Sequence, residues 1–158
     1  MAKAKIGIKG KAYRNTGTYG SPTWSEITIL GDVQINSDWN TANATTRASR
    51  IEVEVPTTLN LGWTAKVRND DDDTNFIALL AAYHGPTAVD FLVLDGANDV
   101  VSSQGYRGYF YIKKFGVDQG LQSAQFFDAE FIPDSAIQVP KTAAVGAGPA
   151  LAYSAIAP

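Results

Sequence analysis

The chain has no cysteine among its 158 residues. That excludes disulfides, thiolate catalysis and cysteine-ligated metals. Histidine occurs once, as His84, after a helix-like segment and just before Gly85-Pro86. A capping or surface role suits it better there than that of a general base. Charged residues are scarce at 18 %, below the roughly 25 % of an ordinary soluble domain, which hints at large buried interfaces. The 13 basic and 16 acidic side chains leave a net charge of -3. A protein that grips nucleic acid needs clustered Lys and Arg to displace counterions from phosphate, and no such cluster occurs. No run approaches the roughly 18 apolar residues of a membrane-spanning helix, so no membrane partner is expected. The opening Met1-Ala2-Lys3-Ala4-Lys5 lacks an apolar core of signal-peptide length, and the expectation is a chain that starts in the cytoplasm. The N-x-T sequon at Asn43-Ala44-Thr45 is then a chance match.

Recognisable chemistry is also missing. No Ser sits in a G-x-S-x-G elbow, and the 14 glycines form neither a phosphate-binding loop nor a dinucleotide fingerprint. Asp70-Asp71-Asp72-Asp73 resembles a cation loop only at first sight. Counted from Asp70, position six is Asn75 and position twelve is Ala81, where a calcium loop needs Gly and Glu. A solvated helix start explains the run, and alternation on an exposed strand explains Glu52 and Glu54. Aromatic Tyr106, Tyr109, Phe110, Tyr111 and Phe115 have only Arg107, Lys113 and Lys114 interleaved with them, too few basic residues for a base-stacking surface, so they read as core. No catalytic residue, cofactor or metal site is expected.

What is present is a core and a rhythm. Hydrophobic residues make up 45 %, enough for one domain of this length. They recur with period two, the mark of half-buried strands: Ile6 and Ile8; Ile27, Ile29, Val33 and Ile35; Ile51, Val53 and Val55; then Leu59, Leu61, Trp63, Ala65 and Val67. Pro56 cannot donate to a ladder and is placed at a turn or bulge between two strands, which makes this stretch an antiparallel hairpin. Phe76, Leu79, Leu80 and Tyr83 are spaced as one helical stripe, with Asp73 or Thr74 to cap it and Gly85-Pro86 to stop it. Ala88 to Leu94 is nearly continuous apolar sequence, a strand covered on both faces, and Asp95-Gly96 turns the chain. Gly105 to Phe115 and Leu121 to Ile132 supply two more strands. The fold expected is mainly β, an antiparallel sandwich or barrel with one short flanking helix.

Two segments stand outside this rhythm. Asn36 to Ser49 reads as a long polar loop, a length that is usually functional or disordered in a compact domain. Its Trp39, with Arg47 and Arg50 beside it, suits a contact surface. Residues 136–158 form an Ala/Gly/Pro-rich arm after a β domain spanning 1–135. The arm carries Leu151, Tyr153 and Ile156 without periodicity, and a neighbouring subunit is the natural thing to hold it.

Several features recur in a telling order: Trp24-Ser25-Glu26-Ile27, Asp32-Val33, the polar stretch ending Thr45-Thr46-Arg47, and Trp63 in mid-strand. Asp73 with Phe76 and Leu79 follows on the helix, then Leu94-Asp95-Gly96, Gly105 and Gly108, and a Phe-rich strand closing near Ile132. Over about residues 5 to 135 this order and spacing resembles the phage major tail tube proteins, whose fold is close to the tubes of contractile injection machines. The resemblance implies rings, hexameric in that family, joined sheet edge to sheet edge and stacked into a conduit for DNA. It implies an inter-ring contact loop at Asp38, Trp39, Asn40, Thr45, Thr46, Arg47 and Arg50. It also implies an acidic or neutral lumen, with Glu52, Glu54, Asp70, Asp71 and Asp72 as candidate lining, through which DNA passes without specific binding. Leu151, Tyr153 and Ile156 become a candidate inter-subunit arm. The implied partners are other copies of the chain, a tape-measure protein, tail terminator and distal tail or baseplate proteins, and a sheath where the tail contracts. The implied location is the virion tail. Two other readings fit the same residues: a tube protein of an injection or secretion device delivering protein, and a carbohydrate-binding sandwich using Trp24, Trp39 and Trp63 as sugar platforms.

Overall fold

A computed structural model describes residues 9–48, 51–118, 124–134, 141–146 and 150–156. Ile6, Ile8, Ser49, Arg50 and Leu121 lie outside the described residues. The elements are β1 (Lys11–Asn15), β2 (Trp24–Glu26), β3 (Leu30–Asn43), β4 (Glu54–Arg68), α1 (Thr74–His84), β5 (Val89–Leu94), β6 (Gln104–Asp118), β7 (Phe126–Pro133), β8 (Lys141–Val145) and β9 (Leu151–Ala155). Every strand pairing is antiparallel, in the order β2-β1-β5-β6-β7-β4-β3. The sheet branches at β6. Its Gln104–Arg107 segment pairs with β8, which carries β9, and its Phe110–Asp118 segment pairs with β7. The fold is mainly β and antiparallel with one short helix, as the alternation predicts.

Alternation decides what is buried. Trp63, Ala65 and Val67 of β4 share a face with Phe131, Ala129 and Phe127 of β7 across the ladder. Phe110, Ile112 and Phe115 of β6 and Phe91 and Val93 of β5 complete this side of the core. Trp63 stacks on Phe131 with ring centroids 3.6 Å apart and meets Phe91 edge-on at 5.3 Å. Burying each of these side chains contributes roughly 1.5–3 kcal/mol. Helix α1 closes the side by inserting Phe76, Leu79 and Ala82. Its start is capped as the sequence predicts: the Asp73 carboxylate accepts hydrogen bonds from the Asn75 and Phe76 amides at 2.8 and 3.0 Å. Gly85 ends it, donating its N–H to Ala81 O.

Strand β5 is covered on both faces, as its apolar run predicts. Phe91 and Val93 face the main core, while Leu92 and Leu94 join Tyr13 in a second cluster. The cover over that second cluster is the C-terminal arm, with Ala143, Leu151 and Tyr153 packed onto it. This corrects the reading of the arm as aperiodic. Ala143 and Val145 point inward and Thr142 and Ala144 outward, a period of two disguised by side chains too small to give strong hydropathy contrast.

Two further expectations change. Asn36 to Asn43 is not loop but the outer half of β3, paired residue by residue with β4. Its polar composition reflects exposure on both faces, not the lack of a ladder. The hairpin is therefore β3–β4, and residues 54–68 are one strand: of the turn or bulge expected at Pro56, the structure has the bulge, at the adjoining Thr57. Pro56 is tolerated because β7 pairs only with Trp63–Arg68, which leaves one edge of β4 open at position 56 among the described residues.

Candidate assembly surface

The outer half of the β3–β4 hairpin stands clear of the core. Every residue from Asn36 to Ala48 is exposed, and so is every residue from Ile51 to Thr58. Among the described residues no strand lies beside the outer edge of β3, and β4 lacks a second neighbour over Glu54–Gly62. The projection is a two-stranded ribbon with both backbone edges open, a form that invites pairing with another chain.

Its two faces are set by one residue. Asn40 pairs with Thr58, but the next residue, Thr41, pairs with Pro56, so Thr57 is an extra residue in β4. Its hydroxyl donates to Asn40 O at 2.9 Å. Residues paired across a ladder share a face, and a bulge switches the parity of everything beyond it. Inside the bulge, Leu59 pairs with Trp39 on the core-facing side. Beyond it, Val55 pairs with Ala42 and joins the opposite side, that of Asp38 and Asn60. The odd-numbered apolar series that reads as one continuous stripe is thus split between two faces. Val53 and Val55 are left 41 % and 46 % exposed. Glu54 and Glu52 turn to the other side, where they accept hydrogen bonds from the Thr41 hydroxyl and the Asn43 amide.

The predicted site residues separate accordingly. Asp38, Trp39, Asn40, Thr45, Thr46 and Arg47 all lie on the hairpin and are exposed. Asp70, Asp71 and Asp72 lie at the far end of β4 from Glu52 and Glu54. At about 3.3 Å per residue, the 15-residue strand holds its ends roughly 45 Å apart. Asp70 pairs with Arg68 at 2.8 Å, and Asp71 and Asp72 are exposed. Leu151 and Tyr153 lie in β9, which among the described residues pairs with β8 alone, and Ile156 follows it. His84 is exposed in the last turn of α1. No three His, Cys, Asp or Glu side chains gather as a metal site among the described residues. Of the tryptophans read as sugar platforms, Trp63 is buried at the centre of the core, Trp24 is half-buried beside the Arg107 guanidinium, and Trp39 is exposed.

The outward face of β3, β4, β7 and β6 is polar. A shallow groove of about 370 Å³ there is lined by Asp32, Gln34, Lys66, Lys114, Asp128 and Glu130. Lys113 adds a 2.9 Å ion pair to Glu130.

One constellation was not predicted. Arg107 and Asp90 form a buried ion pair at 2.8 Å, each side chain 4 % exposed. Arg107 also donates to Tyr19 O at 2.8 Å, and its guanidinium lies 4.1 Å from the Tyr19 ring centroid, 4.7 Å from that of Tyr153 and 5.0 Å from that of Trp24. The Asn15 amide donates to the same Asp90 carboxylate at 2.8 Å. Burial alone would pull the Arg107 pKa down, but hydrogen bonding to Asp90 and its charge outweigh that and hold it above its ordinary value. The available signal was a carboxylate inside an apolar strand, which demands a partner.

No protein-family model matches the chain, and no curated protein matches it. Solved structures do. The chain is similar to the SPP1 tail tube subunit at a TM-score of 0.66 and 14 % identity, over 82 % of this chain and 76 % of that one. It is similar to a chain from the tail of an empty gene transfer agent particle, refined with C6 symmetry, at 0.62 and 16 %, over 96 % and 100 % of the two chains. The chain has the tail-tube fold. The same fold extends to a chain of the anti-feeding prophage baseplate, matched at 0.57 and 6 % identity over 90 % of this chain and 97 % of that one. Among the described residues, the projecting hairpin, the outer edges of β2, β3 and β9 and the polar sheet face are covered by no other strand.

Proposed function

We propose that this chain is a structural subunit of a phage tail tube, assembling with its own copies into stacked hexameric rings that enclose a conduit for DNA. The observation that carries the reading is the β3–β4 ribbon, exposed on both faces and open on both edges. Such a feature is an aggregation hazard in a monomer and an assembly device in a repeating polymer. The likeness to chains from the SPP1 tube and the gene transfer agent tail supports the same reading. The subunit's place is the virion tail. Its neighbours are a tape-measure protein inside, terminator and distal tail or baseplate proteins at the ends, and a sheath in a contractile tail. Its function is mechanical and needs no catalytic group.

In this reading the lumen wall is the outward face of β3, β4, β7 and β6. Asp32, Asp38, Asp128 and Glu130 there face Lys66, Lys113 and Lys114. A wall so nearly balanced and slightly acidic offers DNA little counterion release, so transit is not stalled by binding. Glu52, Glu54, Asp70, Asp71 and Asp72 then lie off the wall, on the hairpin's other face and at the far end of β4. β9, with Leu151 and Tyr153, presents an open edge on which an inter-subunit arm contact can still form. A second reading, a tube component of an injection device that delivers protein, is favoured by the likeness to the anti-feeding prophage baseplate chain.

Electron microscopy of the purified chain at rising concentration tests the proposal. Rings and tubes with a stained axial channel are expected. A chain that stays monomeric at all concentrations, by microscopy and by sedimentation, would overturn it.

A further inference from the structure

Resting on that reading of stacked copies, we infer that the hairpin tip of each subunit seats on the α1 end of the next, with the Ala42–Val53–Val55 face against Ile77 and Val117 and Arg47 beside Asp71 and Asp72.

The tip face is apolar only because of Thr57. Without the bulge, Val55 would follow Leu59 and Leu61 toward the subunit's own core side. With it, Val55 and Ala42 turn away and present unburied apolar surface to another molecule. The partner surface lies at the opposite end of the same fold. β4 ends at Arg68, paired with Phe126 of β7, which pairs in turn with Asp118 of β6. Val117 therefore sits at that end, as does the start of α1, whose Phe76 ring lies 5.4 Å from that of Phe127. Ile77 is off the helix's buried stripe and 53 % exposed, and Val117 is 43 % exposed.

Charge matches as well. The turn of the hairpin carries Arg47, exposed. At the α1 end Asp70 is taken by Arg68 and Asp73 by the helix amides, which leaves Asp71 and Asp72 facing solvent. One end thus offers apolar surface with a cation, and the other offers apolar surface with carboxylates. Two different patches at opposite ends of one molecule make a heterologous contact, which repeats without closing and builds a filament. Such complementarity fixes which ends meet more than it sets raw affinity.

The test compares tube formation by the wild type, Arg47→Asp, the pair Asp71→Arg with Asp72→Arg, and all three substitutions together, at low salt, with circular dichroism to check folding. Each charge reversal should raise the concentration needed for tubes about tenfold while rings persist, and the combined variant should recover most of the loss. Val53→Asp should block tubes without rescue by any charge change. Tubes forming from Arg47→Asp at the wild-type concentration would overturn the contact and leave the tube reading standing. Failure of the wild type itself to form rings or tubes would overturn the tube reading, and this contact with it.

Discussion

At the scale of single residues, the buried Arg107–Asp90 pair organises the side of the fold away from α1. It links β5 and β6 to the 16–23 segment through Tyr19 O, and to the C-terminal arm through the Tyr153 ring. Removing one member leaves an uncompensated buried charge, which costs roughly 3–5 kcal/mol. Arg107→Met should therefore lower the urea midpoint sharply, whereas Arg107→Met combined with Asp90→Leu should recover much of the loss. Equal destabilisation by single and double variants would show that the pair does not act as a unit. Tyr13 supplies a pH-dependent contribution. Burial raises its pKa above the ordinary 10.0, although the Asn98 amide donating to its oxygen draws it partly back. The folded state thus holds this proton more tightly than the unfolded chain. The associated stability is complete below pH 10 and is lost as pH rises through the folded value. Tyr13→Phe should lower stability at pH 7 by about 1 kcal/mol, and thermal melts of the variant should show a flatter decline above pH 10 than those of the wild type. Asp73 was legible as a cap because its partners lie two and three residues on. Arg107 was not, because its partner lies 17 residues away in another strand.

At the scale of elements, helix α1 was legible because cap, stripe and stop are all local in sequence. The longer strands were legible where one face meets the core, but β1 was not, although Ala12 and Tyr13 in it are buried: five residues with two apolar neighbours show no alternation. The hairpin was not, because its outer half has no core to alternate against; Pro56 pointed to a turn or bulge, but that it is a bulge at Thr57 is a count taken across two strands. The arm was hidden for a different reason: the alternation of β8 is written in Ala, Thr and Val. Its role yields a direct expectation. Removing residues 141–158 uncovers Leu92, Leu94 and Tyr13, side chains whose burial contributes roughly 1.5–3 kcal/mol each. The shortened chain should melt lower and bind a hydrophobic dye that the full chain excludes. An unchanged melting temperature would mean that β8 and β9 do not cover that cluster in solution.

At the scale of the whole molecule, the open strand edges among the described residues, the two unlike ends and the nearly balanced sheet face are what the proposed assembly would use. Gly105 illustrates how tightly the centre of the sheet is built: a Cβ there would collide with Val93 O across the β5–β6 ladder, so the central strands tolerate no side chain at that point. The margins are the reverse, ladders that stop with donors and acceptors facing outward. The most direct measurement is a helical cryo-electron microscopy reconstruction of tubes grown from the purified chain. The expected map shows a neighbouring strand hydrogen-bonded along the outer edge of β3, the polar face of β3, β4, β7 and β6 lining the channel, and the hairpin inserted in the adjoining ring. A map in which the edge of β3 faces solvent and each chain touches its neighbours only through loops would contradict the proposed assembly.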